Sequence, residues 1–149
     1  MNNTTIRYFV NLWAEKQCDK TYLIAPEPHK TLSFGELKSK SLQLAQYLFE
    51  RNISKGDKVS FMCPNGYQTT ILFLGLMYGG FVVSPINIAA QTSHLEYILD
   101  NSDTKLIFVS SNYEEKINKA LDNIDRDIQV ISINIDSDEL FENTEKLPA

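Results

Sequence analysis

The stretch Lys55–Asn87, KGDKVSFMCPNGYQTTILFLGLMYGGFVVSPIN, constrains this chain more than any other. It reads as turn, strand, helix, turn, strand. Lys55-Gly56-Asp57 is turn chemistry, because glycine takes positive φ at no steric cost. Lys58–Cys63 is rich in β-branched and aromatic residues and predicts a strand. Pro64-Asn65-Gly66 breaks it. Thr69–Tyr78 is apolar nearly all round, which predicts a helix buried on most faces. Gly79-Gly80 stops that helix, since a glycine after the last helical residue lets the leftover carbonyls be satisfied. Phe81–Ser84 carries no polar residue before Ser84 and is expected to be a strand covered on both faces. Pro85 ends it, because proline cannot donate to a central ladder. These are the proportions of a βαβ crossover, which implies a parallel sheet with helices packed on it.

The flanks extend the same alternation. Thr4–Cys18 places Ile6, Phe9, Val10, Trp13 and Ala14 at helical spacing, with Thr4 or Thr5 as N-cap. Its aromatics read as a docking face rather than a stacking platform. Tyr22–Ala25 and Lys30–Leu32 read as two arms of a hairpin around the turn Pro26–His29. Ser33-Phe34-Gly35-Glu36 has the form of a capping box and opens a helix to about Asn52. Leu37, Ser41, Leu44, Ala45, Leu48 and Phe49 form its inner face, with Lys38, Lys40, Gln43 and Gln46 outside. Ser93-His94-Leu95-Glu96 repeats the box and starts a helix to about Asn101. Lys105–Val109 and Ile128–Ile133 read as strands, with a helix over Tyr113–Asn123 capped from Ser110–Asn112. Asp136–Phe141 is expected to form a short helical turn and Glu142–Ala149 a linker. The chain thus predicts one α/β domain over residues 1–149, with a mostly parallel sheet flanked by helices.

The charges exclude some partners. The net charge is −5, and residues 111–149 hold ten acids against four bases, which argues against a nucleic-acid or anionic-membrane surface. That acidic end reads as a solvated face. Cys18 and Cys63 match no metal-ligand spacing and are expected to be reduced thiols. No stretch has the form of a secretory signal, and Ile71–Ile86 falls short of the roughly 20 apolar residues a membrane helix needs. A cytoplasmic address is expected.

Catalytic equipment is sparse. Neither GxGxxG nor GxxxxGK[ST] occurs, so the common phosphate-cradling loops are missing. Gly75, Gly79 and Gly80 lie in and after a helix, whereas a dinucleotide fingerprint follows a strand and opens a helix. No HExxH, GxSxG or Cys/His cluster occurs. His29 sits in a turn and reads as exposed. His94 is the one histidine near a strand's carboxyl end, where open α/β sheets bind ligands, yet a surface role fits it better. Asp100 and Asp103 read as turn caps rather than an acid–base pair. No catalytic, cofactor-binding or metal-binding residue is assigned.

An ordered set of short motifs carries a resemblance. Leu32-Ser33-Phe34-Gly35-Glu36-Leu37, Ala45, Lys55-Gly56-Asp57-Lys58-Val59, Pro64-Asn65, Gly79–Asn87 and Tyr97–Ser102 stand in the order typical of adenylate-forming enzymes. That superfamily comprises acyl-CoA synthetases, peptide-synthetase adenylation domains and luciferases. The likeness covers about residues 4–110, with the remainder following by element order, and it implies the N-terminal subdomain of that fold. Two places depart from the pattern: the helix before Gly79 ends in Met77-Tyr78, and Asn87 is followed by Ile88-Ala89 without the common proline. Asn87 leans toward the acyl- or aryl-CoA ligase branch.

The resemblance implies a parent enzyme that uses ATP and Mg²⁺ to turn a carboxylate into an acyl-adenylate. The acyl group then passes to coenzyme A or a phosphopantetheine carrier, with fatty acid metabolism as one setting. In that family the phosphate loop, the nucleotide-binding groups and the catalytic lysine follow later in the chain. No residue here matches them, so this stretch is expected to hold no cofactor and to be inactive alone, as the leading part of a longer ligase whose remainder is its partner. Three alternatives are carried: a stand-alone interaction module on the same fold, the adenylation domain of a peptide synthetase, and a plain nucleotide-binding α/β domain. A half-domain also predicts an exposed apolar face that binds hydrophobic dyes or self-associates.

Overall fold

The computed structural model describes residues 5–25 and 30–136. Helix α1 (Ile6–Lys16) leads into a hairpin of β1 (Thr21–Ala25) and β2 (Lys30–Ser33), followed by α2 (Phe34–Glu50). The organising stretch then gives β3 (Lys58–Met62), α3 (Tyr67–Gly79) and β4 (Val82–Pro85). Next come α4 (Thr92–Asn101), β5 (Thr104–Ser110), a 3-10 turn (Ser111–Tyr113), α5 (Glu114–Asp122) and β6 (Gln129–Ile133). The expected turn at Pro26–His29, nearly all of Asp136–Phe141 and the linker from Glu142 lie outside the described residues.

Strands β3 to β6 form one parallel sheet in the order β4-β3-β5-β6, and β1 pairs with β2 antiparallel in a separate two-stranded sheet. Successive side chains on a strand point to opposite faces. Val59, Phe61, Leu106 and Phe108 accordingly meet α2 and α3, through Leu44, Leu48, Leu72 and Leu76. Met62, Ile107 and Val109 face the other way, onto Leu95 and Leu99 of α4 and Ile117 and Ala120 of α5. A third cluster beneath α1 and the hairpin joins Val10, Leu32, Leu37 and Ile71. On the α4–α5 side the hydroxyls of Ser60 and Thr104 bond each other at 2.7 Å across β3 and β5, both side chains being buried.

Helix starts follow their caps where a side chain reaches the backbone. Thr5 Oγ1 accepts from the Tyr8 N–H at 3.1 Å, and Ser33 Oγ from the Glu36 N–H at 3.1 Å. The second expected capping box does not form: the N-cap is Gln91, two residues before Ser93, and Ser93 falls inside the first turn. Helix α5, by contrast, is delayed by the 3-10 turn and begins at Glu114 without a side-chain cap. In α2, Tyr47 is buried while Phe49 is 52 % exposed, the reverse of the expectation for Phe49. Tyr47 lies three residues from Leu44 and shares its face, and the Arg51 guanidinium covers its ring at 3.5 Å.

Strand β4 is the main correction. Among the described residues it is the sheet's edge, bonded only to β3, and Val82 is 47 % exposed. Its apolar run reflected a short strand and not burial on both faces. The edge position also explains how Pro85 can sit in the ladder opposite Phe61, since an edge strand has a side on which no donor is needed.

The organising motifs interlock at the amino ends of the strands. Gly80 caps α3 with φ 84° in the left-handed region. Its carbonyl accepts from the Gly56 N–H at 2.9 Å, and Val82 donates to the Asp57 carbonyl at 2.9 Å. Asp57 Oδ2 takes the Ser54 N–H at 2.7 Å, and Oδ1 pairs with Lys105 Nζ at 3.0 Å. Within α3, Gly75 lets α2 approach closely: a Cβ there would lie 2.9 Å from Leu44 Cδ2.

Candidate functional site

In an open parallel sheet the ligand crevice opens at the carboxyl ends of two neighbouring strands whose connections leave in opposite directions. Chain order and sheet order identify that place. From β3 the chain moves outward to β4 through α3; from β5 it moves the other way to β6 through α5. Right-handed crossovers put those two helices on opposite faces, as the two core clusters show. The switch point therefore lies between β3 and β5, bordered by Cys63–Gly66 after β3 and Ser110–Asn112 after β5.

The groups there are mostly engaged with the fold. Thr69 Oγ1 donates to the Pro64 carbonyl at 2.7 Å, and Thr70 Oγ1 to the Gly66 carbonyl at 3.2 Å. Cys63 is buried, with Sγ 3.9 Å from the Phe108 carbonyl, and burial pushes its thiol up to about 11. A thiol in that state is no nucleophile at neutral pH. The amino end of α3, the natural seat for a phosphate in such a crevice, is already filled. The segment after β6 folds back over it, so that the Gln68 N–H donates to the Ile135 carbonyl at 3.1 Å. The Lys30 ammonium ties down the next residue through the Asp136 carbonyl. A Cβ on Gly66 would sit 3.2 Å from Ile135 Cδ1, so glycine admits this crossing.

The residues singled out from the sequence are scattered. Asp100 and Asp103 flank the start of β5, at the amino end of the sheet and away from the crevice. The Asp100 carbonyl takes Arg126 Nη1 at 3.4 Å, a joint between turns. Gly79 and Gly80 also lie at the amino edge, and Gly75 is a helix-packing position. His94 is exposed in the first turn of α4, on the carboxyl side of β4. His29 lies outside the described residues. Cys18 is exposed and Cys63 buried, both as free thiols. Among the described residues no cluster of three His, Cys, Asp or Glu side chains could hold a metal ion, and no helix is long and apolar enough to cross a membrane. Among the described residues, the hydroxyls of Thr69 and Thr70 and the Gln68 N–H at this crevice are already bonded to carbonyls of the fold.

Sequence reading missed the returning segment Asn134–Asp136, whose role depends on where β6 ends in space. It also missed a hollow between α1, β1 and the start of α2. There Phe9 and Trp13 stay 44 % and 39 % exposed while Val10 and Ala14 turn inward.

The architecture defines a three-layer α/β/α domain of the doubly wound kind, with its crevice at the β3–β5 switch. The chain belongs to the AMP-binding enzyme family, whose model matches residues 10–148. It is 36 % identical over 127 residues to the sulfoacetate–CoA ligase of Cupriavidus necator, covering 85 % of this chain and 25 % of that protein. It is 28 % identical over 103 residues to a medium/long-chain-fatty-acid–CoA/3-oxocholest-4-en-26-oate–CoA ligase of Mycobacterium marinum, covering 69 % and 18 %. The solved benzoate CoA ligase of Burkholderia xenovorans LB400 superposes with a TM-score of 0.75 at 19 % identity, over 86 % of this chain and 25 % of that one. The chain thus spans about a quarter or less of the length of these proteins, and the structural likeness establishes the fold of their N-terminal portion.

Proposed function

We propose that this chain is the leading α/β portion of an ATP-dependent carboxylate-activating ligase of the acyl-CoA synthetase kind. The observation that carries the reading is the family match over residues 10–148, together with the coenzyme A ligases among its relatives. In this reading ATP, Mg²⁺ and the acyl acceptor, coenzyme A or a phosphopantetheine carrier, are handled by groups outside these residues. Adenylyl transfer is driven by positioning and by donors and cations aimed at developing charge, and the crevice here spends its donors on its own backbone. The contribution of these residues is to hold one wall of the site rigid. The two free thiols fit a reducing, cytoplasmic setting.

The test is ATP–pyrophosphate exchange with a panel of carboxylic acids, run on residues 1–149 alone and on the product of the reading frame that contains them. The expected result is no exchange by the former and acid-dependent exchange by the latter. Exchange by residues 1–149 alone would overturn the division of labour. A frame that adds no Ser/Thr/Gly-rich loop with a lysine would overturn the ligase reading and favour a binding module.

A further inference from the structure

Two groups at the corner between β3 and α3 are not engaged by the fold: the Asn65 side-chain amide and the Gly66 N–H. Asn65 is exposed, and among the described residues neither group has a hydrogen-bond partner. The carbonyls on either side are held instead. Pro64 accepts from Thr69 Oγ1 at 2.7 Å, and Gly66 from the Thr70 N–H at 3.1 Å and Thr70 Oγ1 at 3.2 Å. The corner is thus pinned at both ends while an amide carbon and an unbonded backbone nitrogen stand next to each other between them. Glycine has no Cβ to shield that nitrogen. Asn65-Gly66 is the one Asn-Gly pair in the chain, and the one Asn-Ser pair, Asn101-Ser102, makes the contrast. It ends α4, where Asn101 Nδ2 donates to the Tyr97 carbonyl at 2.9 Å and the Ser102 N–H to the Ile98 carbonyl at 2.9 Å. Both groups that would have to react are occupied there.

We infer that Asn65-Gly66 is a self-modification site, at which the asparagine converts to aspartate and isoaspartate with water as the co-reactant. The Gly66 nitrogen gives up its proton and attacks the side-chain amide carbon of Asn65. A C–N bond forms, the bond from that carbon to Nδ2 breaks, and ammonia leaves with the proton, so that a cyclic imide remains. Water then opens the ring at the side-chain carbonyl, giving isoaspartate or aspartate according to which of the two imide bonds it cleaves; nothing is oxidised or reduced. Both products place a carboxylate at the amino end of α3, whose first turn holds no acidic residue and whose N-cap is glycine. Negative charge is favoured at that end of a helix. Isoaspartate also lengthens the main chain by a methylene just before Gly66, where space is short: a Cβ on Gly66 would lie 3.2 Å from Ile135 Cδ1. The contact it displaces is the 3.1 Å bond from the Gln68 N–H to the Ile135 carbonyl. The two products therefore act oppositely. Aspartate tightens the amino end of α3, and isoaspartate frees segment Asn134–Asp136 from it. The reaction requires no nucleotide and no acyl transfer, so it is independent of the ligase proposal.

The test is ageing of the folded protein at mildly alkaline pH, which helps the Gly66 nitrogen lose its proton, followed by peptide mass mapping. Labelling with isoaspartyl methyltransferase separates the two products. Conversion should appear first at position 65, in both forms, while Asn101 keeps its amide. Asn65→Gln changes an exposed side chain that would have to close a larger ring, and it should lose the conversion with unchanged melting. Hydrogen exchange at the Gln68 N–H should be faster in the isoaspartate fraction than in fresh protein, and no faster in Asn65→Asp. An amide that persists at position 65, conversion of Asn101 ahead of it, or unchanged Gln68 exchange in the isoaspartate fraction would each overturn the inference. None of these outcomes bears on pyrophosphate exchange.

Discussion

The Ser60–Thr104 pair offers the sharpest test of how the two central strands are held. Both side chains are about 1 % exposed, and their hydroxyls are 2.7 Å apart on the α4–α5 side of the sheet. Ser60→Ala removes one oxygen and leaves the Thr104 hydroxyl buried beside an apolar methyl. A buried group that loses its partner costs about 1–3 kcal/mol, whereas replacing both partners by apolar groups of similar shape is close to neutral. Thr104→Val keeps the shape and strands the Ser60 hydroxyl, at a similar cost less a small gain from valine's preference for strands. The double variant leaves neither group unmet and should lie within about 1 kcal/mol of wild type. With a urea dependence of about 2 kcal/mol per molar, each single change should lower the unfolding midpoint by roughly 0.5–1.5 M, and the second should restore most of it. Urea unfolding followed by circular dichroism on the four proteins closes the cycle. If the double variant loses the sum of the single losses, the two hydroxyls are not each other's partners in the sense described, and the argument fails.

Two more outcomes follow from titratable groups. The Asp57 carboxyl is held below its ordinary value of 3.8 first by the Ser54 N–H and then by Lys105. A depressed folded-state value stabilises the fold above the ordinary value and ceases to do so as pH falls through the folded one. The gap in melting temperature between wild type and Asp57→Asn should therefore be fully open at neutral pH and close as pH drops below 3.8; a gap constant across that window would refute it. For the thiols, burial and a value near 11 protect Cys63 while Cys18 is exposed. Native protein at pH 8 should react with one equivalent of a disulfide reagent and take up a second only on unfolding. Prompt reaction of both thiols would contradict the burial of Cys63.

Sequence made the architecture legible because its punctuation is local. Gly80 takes the left-handed conformation that a Gly-Gly after an apolar helix announces, and Ser33 caps α2 as its spacing to Glu36 requires. Errors arose where the deciding interaction is remote. Nothing in Phe81–Ser84 says that β4 will be the outermost strand among the described residues, and a short apolar run looks the same at an edge or in the middle. Ser93 has the spacing of a cap, yet the chain turns into α4 two residues sooner, from Gln91. The candidate site was the least legible part. The crevice follows from sheet order, which depends on β5 pairing with β3, Val59 opposite Leu106, far apart in the sequence. Ile135 covering the amino end of α3 carries no sequence signature. The aromatic hollow had a faint one: Phe9 and Trp13 cannot both share the inward stripe of Val10 and Ala14 on an eleven-residue helix.

The joint between Lys55–Asp57 and Gly79–Val82 bears on where such a domain can diverge. At the amino edge two 2.9 Å backbone bonds tie the turn before β3 to the turn after α3. A residue inserted into either turn would break both, along with the alignment of Asp57 and Lys105. At the carboxyl edge the loop between β4 and α4 is held more lightly, by Asn87 Oδ1 accepting from the Ala89 N–H at 2.9 Å and a turn bond from Ala90 to the Asn87 carbonyl. Ile86 and Ala90 are nonetheless buried in the α4–α5 cluster and the Ile86 N–H donates to the Phe61 carbonyl at 2.8 Å, so only the exposed positions of that loop are free to change. Kinship could be read from residues 32–102 because they set turns at both edges of the sheet, although none of them supplies recognisable chemistry.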